Sequence, residues 1–193
     1  LICVGDNALI GYQDTGDRDT AAAWTQVTGG FDPLADITAV AWNETDAVFV
    51  AVAANGQICR STNGLGEPIV NPTYSGWTNI AADPFSGGNI QFIVTGVIGG
   101  VDWWVIAGST LIYTSTDAGI TWTSRTSGVG ASISCLAYDS TNEVFVAGCS
   151  NGDFTRTSNG TSWTADTTTV QAFSGLTGSG QINNLVWSVV AGL

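Results

Sequence analysis

The sequence predicts an all-β fold of repeated four-stranded antiparallel sheets, and three observations carry that expectation. Short runs rich in Val, Ile, Phe and Trp alternate with turns of Asn, Asp, Gly and Ser. One segment recurs later in the chain without a gap. Each copy closes on a Trp that leads a further short strand.

The recurring segment runs Ile37-Thr38-Ala39-Val40-Ala41-Trp42, Val48-Phe49-Val50-Ala51, Asn55-Gly56, Arg60 and Asn63-Gly64. Its counterparts are Ile133, Ala137 and Tyr138, then Val144-Phe145-Val146-Ala147, Asn151-Gly152, Arg156 and Asn159-Gly160. Each copy reads as an alternating strand, a polar turn, a second strand of β-branched and aromatic residues, an Asn-Gly hairpin, a third strand and a Trp-led fourth. An intervening copy is formed by Ile90 to Val94, Trp103 to Ala107, Leu111 to Tyr113 and a hairpin ending on Trp122. The leading tryptophans are Trp24, Trp77, Trp122 and Trp163, a spacing of about 40 to 55 residues that suits the blades of a β-propeller.

The ends extend the pattern. Ile182-Asn183-Asn184-Leu185-Val186-Trp187 repeats a first strand, and Leu1-Ile2-Cys3-Val4-Gly5 reads as a second. Joining the two ends keeps the repeat in register: Trp187 falls on Trp42, Asn7 on Asn55 and Gly16 on Gly64. One domain over 1–193 is expected, with blades at about 182–193 plus 1–31, 37–80, 90–127 and 132–170, the C-terminal strand completing the N-terminal blade. The same repeat also fits a piece of a larger ring, or half of a ring completed by a second copy. The start at Leu1 rather than Met points to a processed or excised product.

Composition narrows the function. Sixteen acidic residues face four arginines with no Lys and no His, giving a net charge of −12, while only 10% of residues are charged. Such a surface repels phosphate backbones and anionic membranes. Without His the commonest general base and transition-metal ligand are missing, and no cofactor is expected. No apolar run approaches the roughly 20 residues of a membrane helix, and no signal peptide is evident. Cys3, Cys59, Cys135 and Cys149 show no CxxC spacing, so they read as small buried side chains, with a Cys135–Cys149 disulfide as the alternative. Asn43-Glu44-Thr45 and Asn159-Gly160-Thr161 fit the glycosylation sequon.

The hairpin Ser115-Thr116-Asp117-Ala118-Gly119-Ile120-Thr121-Trp122 carries a full Ser/Thr-x-Asp-x-Gly-x-Thr-Trp motif. Asp117 is expected to accept backbone N–H groups, Gly119 to supply a positive φ, and Trp122 to pack beneath. Weaker copies are Thr157-Ser158-Asn159-Gly160-Thr161-Ser162-Trp163, and Asn63 and Gly64 ahead of an insertion before Trp77; only Asp14-Thr15-Gly16 remains ahead of Trp24. These hairpins resemble those of the Asp-box, or BNR-repeat, propellers, a group that includes sialidases, photosystem-assembly factors, sorting receptors and phage tail or virion proteins. The resemblance covers nearly the whole chain and implies a structural role for the box, on the blade periphery.

Sialidase chemistry, as the resemblance would have it, needs an arginine triad, a Tyr–Glu nucleophile pair and an Asp acid/base. Here Arg60 and Arg156 are equivalent repeat positions, Arg125 follows a box Trp, and Arg18 stands apart; Glu44, Glu67 and Glu143 have no matched Tyr. No catalytic residue is assigned, and a glycoside hydrolase stays as the alternative. No metal site is assigned either: Asp14, Asp17 and Asp19 offer oxygen ligands for a hard cation, but Arg18 opposes one and a solvated acidic turn is the plainer reading.

Trp103 and Trp104 point to opposite sheet faces, and Trp42, Tyr138 and Trp187 hold equivalent packing positions. The insertion Leu65 to Gly76 breaks the repeat, so Glu67, Asn71 and Tyr74 are the candidate binding residues. A Gly/Ser-rich stretch, Phe173 to Gly180, reads as a connector. The expectation is a non-enzymatic structural or binding module of an extracellular or virion-surface assembly such as a phage tail. Its partners would be other protein subunits, including a second copy, or a neutral cell-surface glycan.

Overall fold

The computed structural model describes residues 2–12, 25–27, 30–61, 77–80 and 83–166, together with Ile182 and Leu185. Within them every regular element is a β-strand, and all strand pairs are antiparallel. The chain divides into two compact units, Leu1–Gln91 and Phe92–Leu193.

The first unit holds two sheets. One runs β1 (Ile2–Gly5), β2 (Leu9–Tyr12), β3 (Thr25–Val27). The other runs β4 (Ile37–Asn43), β5 (Val48–Ala53), β6 (Ile58–Ser61), β7 (Trp77–Asn79). Apart from Ile182 and Leu185, the strand expected to complete the first sheet lies outside the described residues, and so does the ring closure it would make. Trp24 and Trp187 lie outside them as well.

The second unit also holds two sheets. In sequence order these are β8 (Phe92–Ile98), β9 (Val101–Gly108), β10 (Leu111–Ser115), β11 (Thr123–Arg125), then β12 (Ile133–Asp139), β13 (Val144–Cys149), β14 (Phe154–Thr157), β15 (Thr164–Asp166). Each sheet is a meander of sequential neighbours.

Position within a sheet explains composition. The second strands are covered on both faces, so β5 and the end of β9 are continuous apolar runs, Val-Phe-Val-Ala-Val-Ala and Trp-Val-Ile-Ala, not alternations. The fourth strands β7 and β11 are three residues long and mostly exposed, which leaves little edge for another chain to pair with. One core joins Ile10, Phe31, Ile37, Ala51, Cys59 and Trp77 from both sheets of the first unit. The other joins Val105, Ile112, Ile133, Phe145, Cys149 and Trp163 from both sheets of the second. Fully burying side chains of this size stabilises by about 1.5–3 kcal/mol each before chain entropy is counted.

The repeat seen in the sequence holds bond for bond. In both copies a bulge follows the first residue of the strand, at Ile37/Ala39 and at Ile133/Cys135. The bulged residues are Thr38 and Ser134, whose hydroxyls each lie between two carbonyls. Thr38 Oγ1 is 3.1 Å from Val52 O and 2.5 Å from Ile90 O. Ser134 Oγ is 3.2 Å from Gly148 O and also hydrogen bonds to Ile182 O. The incoming residue completes the join, Ile90 N–H donating to Ala53 O and Ile182 N–H to Cys149 O, both at 3.3 Å. The sequence places Ile90 in a first strand, but β8 starts at Phe92 because both backbone groups of Ile90 are engaged by the preceding sheet.

The Asn-Gly hairpins match in the same way. Gly56 and Gly152 have φ of 83° and 88°, and their N–H groups donate to Ala53 O and Cys149 O, both at 3.1 Å. A three-residue loop with Gly at the left-handed position joins two strands without splaying them.

Candidate functional site

The turn between β10 and β11 is densely hydrogen bonded. Asp117 Oδ1 accepts the N–H groups of Ile120 (3.1 Å) and Thr121 (2.9 Å) and the Ser115 hydroxyl (2.7 Å), while Oδ2 accepts the Thr121 hydroxyl (2.6 Å). Ser115 Oγ in turn accepts from Gly119 N–H at 3.0 Å, and Trp122 Nε1–H donates to Gly119 O at 3.1 Å. The left-handed backbone expected at Gly119 (φ 75°) begins one residue earlier, at Ala118 (φ 56°). Desolvation pushes the Asp117 carboxyl up, but the bonds from Thr121, Ser115 and Ile120 outweigh it and hold the group below the usual carboxylate range.

The second copy, between β14 and β15, achieves a similar turn with one oxygen. Asn159 Oδ1 accepts Thr161 N–H (2.9 Å), Ser162 N–H (2.8 Å) and the Thr161 hydroxyl (3.1 Å). Gly160, at φ 71°, lies under the Trp103 ring, so close that a Cβ there would stand 2.5 Å from Cε3. Thr157–Trp163 is one residue shorter than Ser115–Trp122. Trp163 is buried, and its indole N–H has no acceptor among the described residues. Trp77, the head of β7, is buried in the first core, while Asn63 and Gly64 lie outside the described residues.

Among the described residues, three groups that could do chemistry, Glu143, Arg125 and Asp139, are bonded to turns and strands. Glu143 Oε2 accepts Gly99 N–H at 2.7 Å, and Arg125 Nε donates to Thr114 Oγ1 at 2.8 Å. Asp139 accepts from Thr141 N–H (2.9 Å) and from both Asn142 N–H (3.0 Å) and its side-chain amide (2.7 Å). Although desolvation pushes the Asp139 carboxyl up, the Asn142 and Thr141 donors hold it below its ordinary value. Arg60 and Arg156 hold equivalent register positions, opposite Val50 and Val146. Among the described residues no three His, Cys, Asp or Glu side chains gather to hold a metal ion. Arg18, Asp14, Asp17 and Asp19, and the proposed binding residues Glu67, Asn71 and Tyr74, lie outside the described residues.

All four cysteines are free thiols, and three of them, Cys59, Cys135 and Cys149, are buried. Burial raises the Cys59 thiol to about 12, and burial with Asp153 and Cys135 nearby raises Cys149 to about 11. Both sequon asparagines hold turns: Asn43 is buried and accepts Asp46 N–H at 2.9 Å, and Asn159 is bonded as above. Aromatic rings go to packing. Trp42 meets Phe49 at 4.4 Å between centroids, Tyr138 meets Phe145 at 4.7 Å, and Trp104 is fully buried.

A second kind of turn lies outside the repeat read from the sequence. Asp32-Pro33-Leu34 and Asp83-Pro84-Phe85 form the same turn in the loops before β4 and β8. Asp32 Oδ1 accepts Leu34 N–H at 2.9 Å, and Asp83 Oδ1 accepts Phe85 N–H at 3.1 Å. Phe85 is 6% exposed, yet Leu34 is 82% exposed. The repeated Asp-Pro was the available signal.

No protein-family model matches the chain, and neither does any curated protein. Solved structures match in fold. YCF48 bound to D1 peptide aligns with a TM-score of 0.58 at 20% identity, covering 85% of this chain and 48% of that one. Sqt1 of Chaetomium thermophilum, bound to the N-terminus of the ribosomal protein L10, gives 0.57 at 15%, covering 84% and 43%. A chain of the nidogen/laminin complex gives 0.55 at 14%, covering 86% and 59%. The chain therefore spans about half the length of the structures it matches, and at these identities the likeness is one of fold. Those structures are β-propellers, and the small antiparallel sheets described above are propeller blades.

Proposed function

We propose that this chain is a non-enzymatic, protein-binding propeller module of the Asp-box type, working in an extracellular or virion-surface assembly. The observation that carries it is the commitment of four described, chemically capable side chains to local structure: Asp117, Asp139, Glu143 and Arg125 each hold a turn or a neighbouring strand. A catalytic acid or carboxylate clamp has to face substrate instead. Two of the fold neighbours were solved with a peptide or a protein terminus bound, which makes peptide or protein capture a natural use of such blades.

Protein is favoured over glycan as partner. Among the described residues, Trp42, Trp77, Trp103, Trp104, Trp122, Trp163, Tyr113 and Tyr138 are all buried or partly buried, whereas a sugar ring needs an exposed aromatic platform. The surface placement rests on a sequence poor in charge and rich in Ser, Thr, Asn and Gly.

Two assays test the reading. A fluorogenic sialoside is expected to release no product above buffer, and a glycan array to give no hits. Turnover that is lost in Glu143→Gln would replace the reading with a glycosidase.

A further inference from the structure

The loop between β3 and β4 displays Leu34 on a fixed backbone. Ala35 N–H donates to Asp32 O at 2.9 Å, and Asp32 N–H donates to Gln57 Oε1 at 2.9 Å. On the other side Ala8 N–H donates to Ala35 O at 2.7 Å, Asn7 N–H to Asp36 Oδ1 at 3.3 Å, and Ala54 N–H to Asp36 O at 2.9 Å. Phe31 and Ala35 face the core, and Leu34, in the turn between them, points to solvent, whereas the sister turn buries Phe85. Leu9, 41% exposed, is the neighbour of Ala8, and exposed Pro33 precedes Leu34.

The surroundings are acidic. Asp6 lies in the β1–β2 turn and Asp32 and Asp36 flank Leu34; Asp83 sits against the β5–β6 turn, where a Cβ on Gly56 would stand 2.6 Å from its Oδ1. All four are exposed, and the described residues of these turns include no Lys or Arg.

We infer that this end of the first unit docks a basic segment of a partner protein, an apolar side chain covering Leu34 and Leu9 while Lys or Arg groups face Asp6, Asp32, Asp36 and Asp83. This rests on the protein-binding reading above. An apolar contact supplies affinity, the carboxylates supply orientation and a fast encounter, and the pinned loop spares the ordering cost that a mobile one would incur. A second copy of this chain, with a net charge of −12, is a poor fit, and nucleic acid and anionic lipid are repelled outright.

The test is selection of a random peptide library displayed on phage against the whole chain. Enriched peptides are expected to place Lys or Arg beside an apolar residue, and their synthetic versions to bind more weakly as salt rises. Leu34→Ser is expected to weaken them about tenfold or more. Asp32→Asn with Asp36→Asn, which keeps the turn acceptors, is expected to flatten the salt dependence. Circular dichroism and melting are expected to match the parent for both variants. Peptides that bind all variants equally overturn the surface and leave the protein-binding reading standing. If no peptide is enriched above an uncoated control, both are overturned. Dimerisation that Leu34→Ser abolishes would replace the basic partner with a second copy.

Discussion

Gly96 of β8 lies against the ring of Tyr138 of β12, so close that a Cβ on the glycine would stand 2.5 Å from Cγ and Cδ1. The Tyr138 hydroxyl donates to the Val97 carbonyl, which fixes the ring over that glycine. Gly96→Ala must therefore push the ring aside or bend the strand, at a cost of about 1–3 kcal/mol. At roughly 2–4 °C per kcal/mol for a chain of this size, a lower melting temperature is expected. Combining it with Tyr138→Ala should cost less than the sum of the two single changes. A Gly96→Ala protein that melts with the parent would contradict the close approach.

Asp117→Ala removes the acceptor of two backbone N–H groups and two hydroxyls, and a loss of about 1–2 kcal/mol is expected. Asp117→Asn should cost less than half as much, because Asn159 holds its turn with one amide oxygen. Chemical denaturation of the three proteins decides it; equal losses for Ala and Asn would mean that charge, not acceptor geometry, holds the turn.

The same bonds give a pH dependence. Asp117 and Asp139 titrate below their ordinary values when folded. Their contribution is present above the unfolded-state value and is lost as pH falls through the folded one. Melting temperature is expected to stay level from neutrality to about pH 4 and to fall below it, less steeply in Asp117→Asn. Stability that increases on acidification below pH 4 would refute this.

Thiol accessibility separates the cysteines. Cys3 is exposed, whereas burial covers Cys59, Cys135 and Cys149 and keeps their thiols protonated. Ellman's reagent at pH 8 is expected to label one thiol per folded chain quickly and all four in guanidinium. Rapid labelling of two or more in the folded protein would count against the packing.

The repeat was legible in the sequence because its signals are local: Asn-Gly at a left-handed turn, a β-branched run in a doubly covered strand, and a Trp at a blade's last hairpin. The expected Trp-led strand holds at Trp77, but β11 and β15 start at Thr123 and Thr164, one residue after Trp122 and Trp163, because the box turn still engages the backbone N–H groups of Thr121 and Ser162. The Asp117 turn was legible for the same reason, since its donors and acceptors all lie within eight residues. What escaped the sequence depends on distant partners. Ile90 is apolar and in phase with the strand that follows, and only its bonds to Ala53 and Thr38 set it apart. Leu34 and Phe85 follow identical Asp-Pro pairs, yet Phe31 and Ala35 take the core positions beside Leu34 and leave it in solvent. Turn chemistry is written in neighbours, but the direction a side chain faces is decided by what else fills the interior.

The bridging hydroxyls of Thr38 and Ser134 bear on how such blades can be engineered. Val52 stands behind the carbonyl in one copy and Gly148 in the other, and the strand continues through Trp42 in one and Tyr138 in the other. The join survives these replacements because the hydroxyl at the bulge and the backbone carbonyl arriving from the next loop recur in both copies. The side chains around it are matched to each copy, however: a Cβ on Gly148 would stand 2.7 Å from Cys135 Sγ and 2.8 Å from Ile182 Cγ2. Grafting a foreign blade onto the Ser134 copy should therefore need a Ser or Thr at the bulge and a glycine at 148, whereas the Thr38 copy takes Val52 there.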